Sequence, residues 1–325
     1  MTTESAGGPD ETFRRVADLV AQGEVVRARE LADQVAAEYA ERAPAEAAKA
    51  LRLGAGLSRL LGRPREGLDR AERAIRLADG VAGVVAAARL EVAEARLALG
   101  EAAAAARAFD ALAREPGRTV EERLSLRRRQ ADALASEGQV DAATEVLRTA
   151  AADAVAGGAA SEAAGALVQG VALAQGEGRS DLVDVLRSAA GRTAADAGSP
   201  GALAELDLLT AARSLARGDL AAARSAARSA RGHALEAIQP LAYLAAVLAG
   251  SRIADRVGDR VDAYRLLATG YATLADLLGA ELSRQTFEPE LLALRDRWGA
   301  EAFASVKAAH DAARRRARSA DRRRD

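Results

Sequence analysis

Cysteine is absent from this 325-residue chain, and histidine occurs only at His233 and His310. The first absence excludes disulfides, thiolate nucleophiles and Cys-ligated zinc or iron–sulfur sites, and the second removes the usual metal-ligand clusters. Aromatic residues make up only 3% of a sequence that is 50% hydrophobic by type, so the apolar half is mostly Ala, Leu and Val. Lysine is nearly missing too: of 46 basic residues only Lys49 and Lys307 are Lys. Together with the alanine excess, the arginine bias reflects base composition and does not by itself argue for nucleic acid. Long hydrophobic runs are lacking as well, since the longest, residues 241–250, is about half of what a bilayer span needs. Residues 1–10 have neither a basic start nor an apolar stretch, so no signal peptide is read there. A soluble cytoplasmic protein beginning at residue 1, with no membrane span and no cofactor or metal, is expected.

What the sequence does hold is a period. A glycine followed five positions later by a small residue occurs at Gly23/Ala28, Gly62/Gly67, Gly100/Ala105, Gly138/Ala143, Gly178/Val183, Gly218/Ala223 and Gly258/Ala263, so that successive glycines stand thirty-eight to forty positions apart. Pro44, Pro200 and Pro240 each precede the glycine of their unit (Gly62, Gly218 and Gly258) by the same eighteen positions, where a fixed φ and a missing N–H suit the first turn of a helix. Thr119 and Glu122 form a capping box in the fourth unit, and Ser161 is an N-cap candidate in the fifth. Apolar positions three and four apart, as in Leu203, Leu206, Leu209 and Leu215, predict a helix before each glycine, and Leu68, Ala71, Ala74, Ile75 and Ala78 predict another after it. No segment sustains period-two alternation, so no sheet is predicted.

A helix–turn–helix unit repeated seven times buries its apolar stripe only by stacking on its neighbours, which is the logic of an α-solenoid. Gly and Ala at the turn and at the facing position let the paired helices approach closely. The Leu61-Gly62, Leu99-Gly100, Gly218-Asp219 and Gly258-Asp259 turns, each followed by the spaced small residue, resemble the tetratricopeptide (TPR) family over roughly residues 10–279. A period of thirty-eight to forty exceeds that family's thirty-four, like the TPR-like repeats of bacterial regulatory proteins, and the family's aromatic landmarks are largely replaced by Ala, Val and Leu.

The resulting expectation is an all-α protein: a disordered stretch at 1–9, an elongated solenoid of about seven TPR-like repeats at 10–285, a C-terminal capping helix at 286–313 after Phe287-Glu288-Pro289, and an Arg-rich tail at 314–325. The second helix of the seventh unit is read as running to Arg284. Six of the nine aromatics lie past residue 240, consistent either with a packed terminal cap or with an aromatic-lined pocket for a peptide. Glycines crowd the fifth unit (Gly157, Gly158, Gly165, Gly170, Gly176, Gly178), which fits either a hinge or tight helix contact.

Catalytic patterns are missing. Gly176-Glu177-Gly178 lacks what a phosphate loop requires, and both histidines are read as solvated on helix faces. Residues 310–325 hold seven Arg against three Asp, in a chain of net charge -1. Arg314, Arg315, Arg316 and Arg318 could therefore attract phosphate or an acidic partner, but with no interleaved aromatics or recognition helix base readout is not expected. The leading expectation is a non-enzymatic scaffold that binds a peptide or partner protein. In TPR-like proteins the exposed faces of the first helices line the concave groove, and the resemblance then places Lys49, Arg52, Arg59, Glu91, Glu94, Arg128, Arg129, Asp132, Gln169, Gln175, Arg252 and Asp255 there. The alternatives are a regulatory module, sensing a signalling peptide or serving as an arm of a transcription complex, or weak binding of nucleic acid or a membrane surface through the tail.

Overall fold

The computed structural model describes residues 9–78 and 80–321, without the side chains of residues 317–321. Among the described residues there are sixteen helices and no strand, and no helix is long and apolar enough to cross a membrane. The chain forms two compact units that divide after Ala159. The first holds the helical hairpins α1 (Pro9–Ala21) with α2 (Val25–Tyr39), α3 (Pro44–Leu60) with α4 (Pro64–Leu77), α5 (Ala82–Ala98) with α6 (Ala102–Ala113), and α7 (Val120–Ser136) with α8 (Val140–Ala156). The second holds α9 (Ala160–Gly176) with α10 (Ser180–Asp196), α11 (Pro200–Ala216) with α12 (Leu220–Glu236), α13 (Pro240–Arg256) with α14 (Arg260–Leu278), and α15 (Ala280–Trp298) with α16 (Ala300–Asp321).

The local chemistry explains the boundaries. All seven turn glycines take positive φ, between 68° and 80°, a conformation that costs glycine nothing. The amide after each glycine then bonds back to a carbonyl of the preceding helix, as from Arg63 N to Ser58 O and from Asp219 N to Ser214 O, both 2.9 Å. This is the Schellman pattern, and it satisfies carbonyls that a helix end otherwise leaves open. Pro44, Pro200 and Pro240 are the first residues of α3, α11 and α13, and the Thr119/Glu122 capping box opens α7. Ser161 is not an N-cap: α9 starts one residue earlier, and the Ser161 hydroxyl meets that of Ser199 at 3.0 Å.

A second series of turns joins successive hairpins, with Gly80, Gly117, Gly158, Gly198 and Gly279 also at positive φ. From α9 to α13 every helix has the same length, 17 residues, and the same three-residue link follows each of α9 to α12. The turn between α12 and α13 departs from the glycine rule. Ile238 occupies the glycine position at φ 52°, the one positive-φ non-glycine among the described residues, and its side chain is 73% exposed. A β-branched residue is strained there.

The small residue of the repeat marks where the paired helices cross. Ala28, Gly67, Ala105, Ala143, Val183, Ala223 and Ala263 are all buried. So are the residues seven positions before each turn glycine: Val16, Ala55, Ala93, Ala131, Val171, Ala211 and Ser251. In two hairpins the contact between these positions is direct. A Cβ on Gly67 would come within 2.9 Å of the Ala55 carbonyl oxygen, and the Ser251 hydroxyl donates to the Ala263 carbonyl at 3.0 Å.

The C-terminal end differs from the sequence expectation. The seventh second helix stops at Leu278, before Gly279 at φ 96°, rather than running to Arg284. Pro289 does not precede the next helix but lies inside α15, on an exposed face where the carbonyl it leaves unbonded, that of Gln285, can turn to water. The single capping helix expected at 286–313 is therefore a hairpin, and α16 continues through the Arg-rich stretch to Asp321. Pro9 belongs to α1, while residues 1–8 lie outside the described residues. The aromatic residues pack against one another. Phe287 is fully buried against Tyr271, Gly270 of α14 leaves the space for its ring, and Phe303 meets Tyr264 edge-on at 5.5 Å.

The crossing geometry makes a testable demand. Ala223→Leu puts three extra carbons into a fully buried contact and is expected to lower stability by about 1–3 kcal/mol, as overpacked cores do. Ala221→Leu, on the exposed side of the same helix, is expected to change little, and chemical denaturation of both variants checks the difference.

Candidate partner-binding face

Within each unit, first helices pack directly on first helices, α3 on α5, α9 on α11 and α11 on α13. Polar residues of these helices consequently meet one another across the repeat. Glu91 of α5 lies over Gly56 of α3, where a Cβ would come within 3.3 Å of the carboxylate. The glycine thus admits an acid against the backbone. The Glu91 side chain is only 16% exposed, with the Arg59 Nε 3.9 Å away. Burial pushes the Glu91 carboxyl above the usual carboxylate range against the opposing pull of Arg59, Arg52 and Arg129. Neither Glu91 Oε2 nor Arg59 Nε makes a hydrogen bond, and both atoms are buried between the helices. One helix further, Arg129 of α7 pairs with Glu94 of α5.

The second unit repeats the arrangement with other chemistry. Gln175 of α9 donates to the Leu209 carbonyl of α11 at 3.2 Å. Arg252 of α13 reaches Glu290 of α15 at 2.9 Å. Asp255 accepts from the Trp298 indole N–H at 2.6 Å and pairs with Arg297 at 3.2 Å. Arg59, Glu91, Glu94, Arg129, Gln175, Arg252 and Asp255, which the family resemblance places on a ligand-binding groove, thus act as rungs between neighbouring helices. Lys49 pairs with Glu46 of its own helix, Arg128 and Asp132 are exposed on α7, and Gln169 is half-buried on α9. Arg314, Arg315 and Arg316 stand exposed on α16, and the side chain of Arg318 lies outside the described residues.

Sequence reasoning missed the placement of both histidines. His233 of α12, whose side chain is one-third exposed, also bonds Asp207 of α11 at 3.0 Å. Burial pushes the Asp207 carboxyl up, and the His233 contact pulls it back. His310 is only 14% exposed and packs edge-on against Tyr264, with ring centroids 5.4 Å apart. In each case the partner lies on another helix, far off along the chain, and nothing local in the sequence signals it. Among the described residues no group of three or more His, Asp or Glu is arranged to hold a metal.

No family model matches the sequence, and no curated protein matches it. In three dimensions the chain is similar to yeast Tom70, at 14% identity over 98% of this chain and 66% of that one, with a TM-score of 0.57. It is also similar to the apo form of RapI, at 10% identity over 86% of this chain and 99% of that one, with a TM-score of 0.53. A third likeness is to aspartyl phosphate phosphatase F from Bacillus subtilis, at 11% identity over 97% and 96% of the two chains, with a TM-score of 0.51. At these identities the likeness is one of fold, and the fold is an all-α solenoid of TPR-like repeats.

The buried Glu91 gives a pH-dependent prediction. A carboxyl whose folded pKa is raised binds protons more readily in the folded than in the unfolded state, so it lowers stability at neutral pH, a cost that disappears as pH falls below its unfolded pKa. Glu91→Gln is therefore expected to raise the Tm at pH 7, with the advantage gone at pH 4. Thermal unfolding of both proteins at the two pH values checks it, and a Tm lowered at pH 7 would contradict the assignment.

Proposed function

We propose that this protein is a non-enzymatic adaptor that holds a peptide or partner protein along the first-helix face of its TPR-like repeats. The observation that carries the reading is that first helices pack on first helices and fix polar side chains, such as Arg129 on Glu94, in register along one face. Such preplaced side chains favour a ligand with polar groups of its own, because little ordering remains to be done on binding. Arg52 on α3, beside Glu91, and Arg128, exposed on α7, add charge that a partner can read. One of the similar structures is named a phosphatase, but at 11% identity its chemistry does not transfer to this chain.

The experiment is affinity capture from the native cell followed by reconstitution with the purified partner. Arg52→Gln combined with Arg128→Gln is expected to weaken that partner at least tenfold, in the range of one or two interface hot spots, with the all-helical circular dichroism spectrum kept. Equal binding by both proteins would move the interaction to another surface.

A further inference from the structure

Two grooves between successive second helices share one register and differ in charge. The first runs between α2 and α4 over α3, and the second between α12 and α14 over α13. Their floors are Gly54 and Gly250, each eight positions before the turn glycine of its hairpin. Arg29 and Arg224, each six positions after a turn glycine, reach the acid four positions after the next one: Glu66 at 3.3 Å and Asp262 at 2.6 Å. The Nε of both arginines is buried without a partner, so that feature belongs to the shared rung rather than to any ligand.

The second rung separates the two grooves. In the first, Asp33 and Arg70 close over Gly54 with hydrogen bonds of 2.7 and 2.9 Å. At the same offsets the second groove has Arg228 in place of Asp33 and Leu266 in place of Arg70. One sign is reversed and the opposing charge is gone. Arg231, the next residue along this face of α12, adds another guanidinium, and among the described residues neither Arg228 nor Arg231 is in an ion pair. Arg224 and Arg265 are already matched by Asp259 and Asp262. The groove therefore carries two unmatched positive charges three positions apart, beside the apolar walls of Ala227, Ala246 and Leu266.

Like charges at this spacing on a helix repel, and low-dielectric walls strengthen the repulsion. An oxyanion set between the two guanidiniums reverses the sign of that interaction and takes up their forked donors. The cleft measures only about 30 Å³, room for the tip of one acidic group rather than a whole ligand. We propose that the groove over Gly250 binds an oxyanion, the carboxylate or phosphate of an acidic ligand that otherwise lies along the outside of α12. This site is independent of the first-helix face.

The test is fluorescence anisotropy with a labelled hexaglutamate peptide on the full chain, at low and at about 150 mM salt, with inorganic phosphate as competitor. The variants are Arg228→Gln/Arg231→Gln and, for the other arginine cluster, Arg314→Gln/Arg315→Gln/Arg316→Gln. The expected result is at least a tenfold loss of affinity in the first variant, with its melting temperature unchanged, and near-normal binding in the second. Displacement by phosphate would show that a free anion occupies the same site, and its absence that the carboxylate is held as part of a peptide. Unchanged binding by the Arg228/Arg231 variant, or loss in the Arg314–Arg316 variant alone, would overturn the proposal.

Discussion

The contact on which the rest of the structure depends is the crossing of the two helices of each hairpin, between the residue seven before the turn glycine and the residue five after it. Ala, Gly, Val and Ser fill these fourteen positions, and all of them are buried. In the hairpin of Gly67 and Ala55, even a methyl group on the glycine would collide with backbone. A close crossing brings backbones together, so dispersion is gained along the whole length of both helices rather than from a few large side chains. This accounts for a chain with 3% aromatic content that still builds a core in each unit. The aromatics concentrate in α13 to α16, and there ring packing around Phe287 and Phe303 adds to the small-residue contact.

The same geometry generates the polar surfaces. When helices repeat at a fixed offset, a charged residue at a given position meets its neighbour at the corresponding position, and pairs form in register: Arg29 with Glu66, Arg224 with Asp262, Glu94 with Arg129. Surface ion pairs of this kind contribute little stability singly, about 0–1 kcal/mol. Their value is positional, since they hold side chains on a face. Where the register is kept but a partner is missing, as at Arg228, the surface keeps unused bonding capacity.

Much of the fold was legible because it is written in single residues with steric reasons. Gly at a left-handed turn, Pro at a helix start and a small residue at a crossing each have one physical explanation, and their spacing exposed the repeat. The turns between hairpins were harder to see, because the first has no glycine and the last full one uses the strained Ile238. Pro289 was read as a break because proline usually is one; an exposed helix face tolerates it. The face residues were placed on the right helices by distance from the glycine, yet their pairing depends on contacts with the next repeat, far away in sequence. His233 with Asp207 and Trp298 with Asp255 were invisible for the same reason.

Because the chain has no cysteine, the crossing register can be measured with introduced pairs against a silent background. Ala93→Cys/Ala105→Cys and Ala211→Cys/Ala223→Cys place thiols at the crossing of one hairpin in each unit, and Ala211→Cys/Ala221→Cys shifts one thiol to the exposed side of α12. Disulfides require Cα atoms about 4.4–6.8 Å apart. Under mild oxidation of the folded protein, mass spectrometry is predicted to find the two crossing pairs linked and the shifted pair free. Linkage of the shifted pair with the crossing pairs left reduced would contradict the register on which this account of the fold rests.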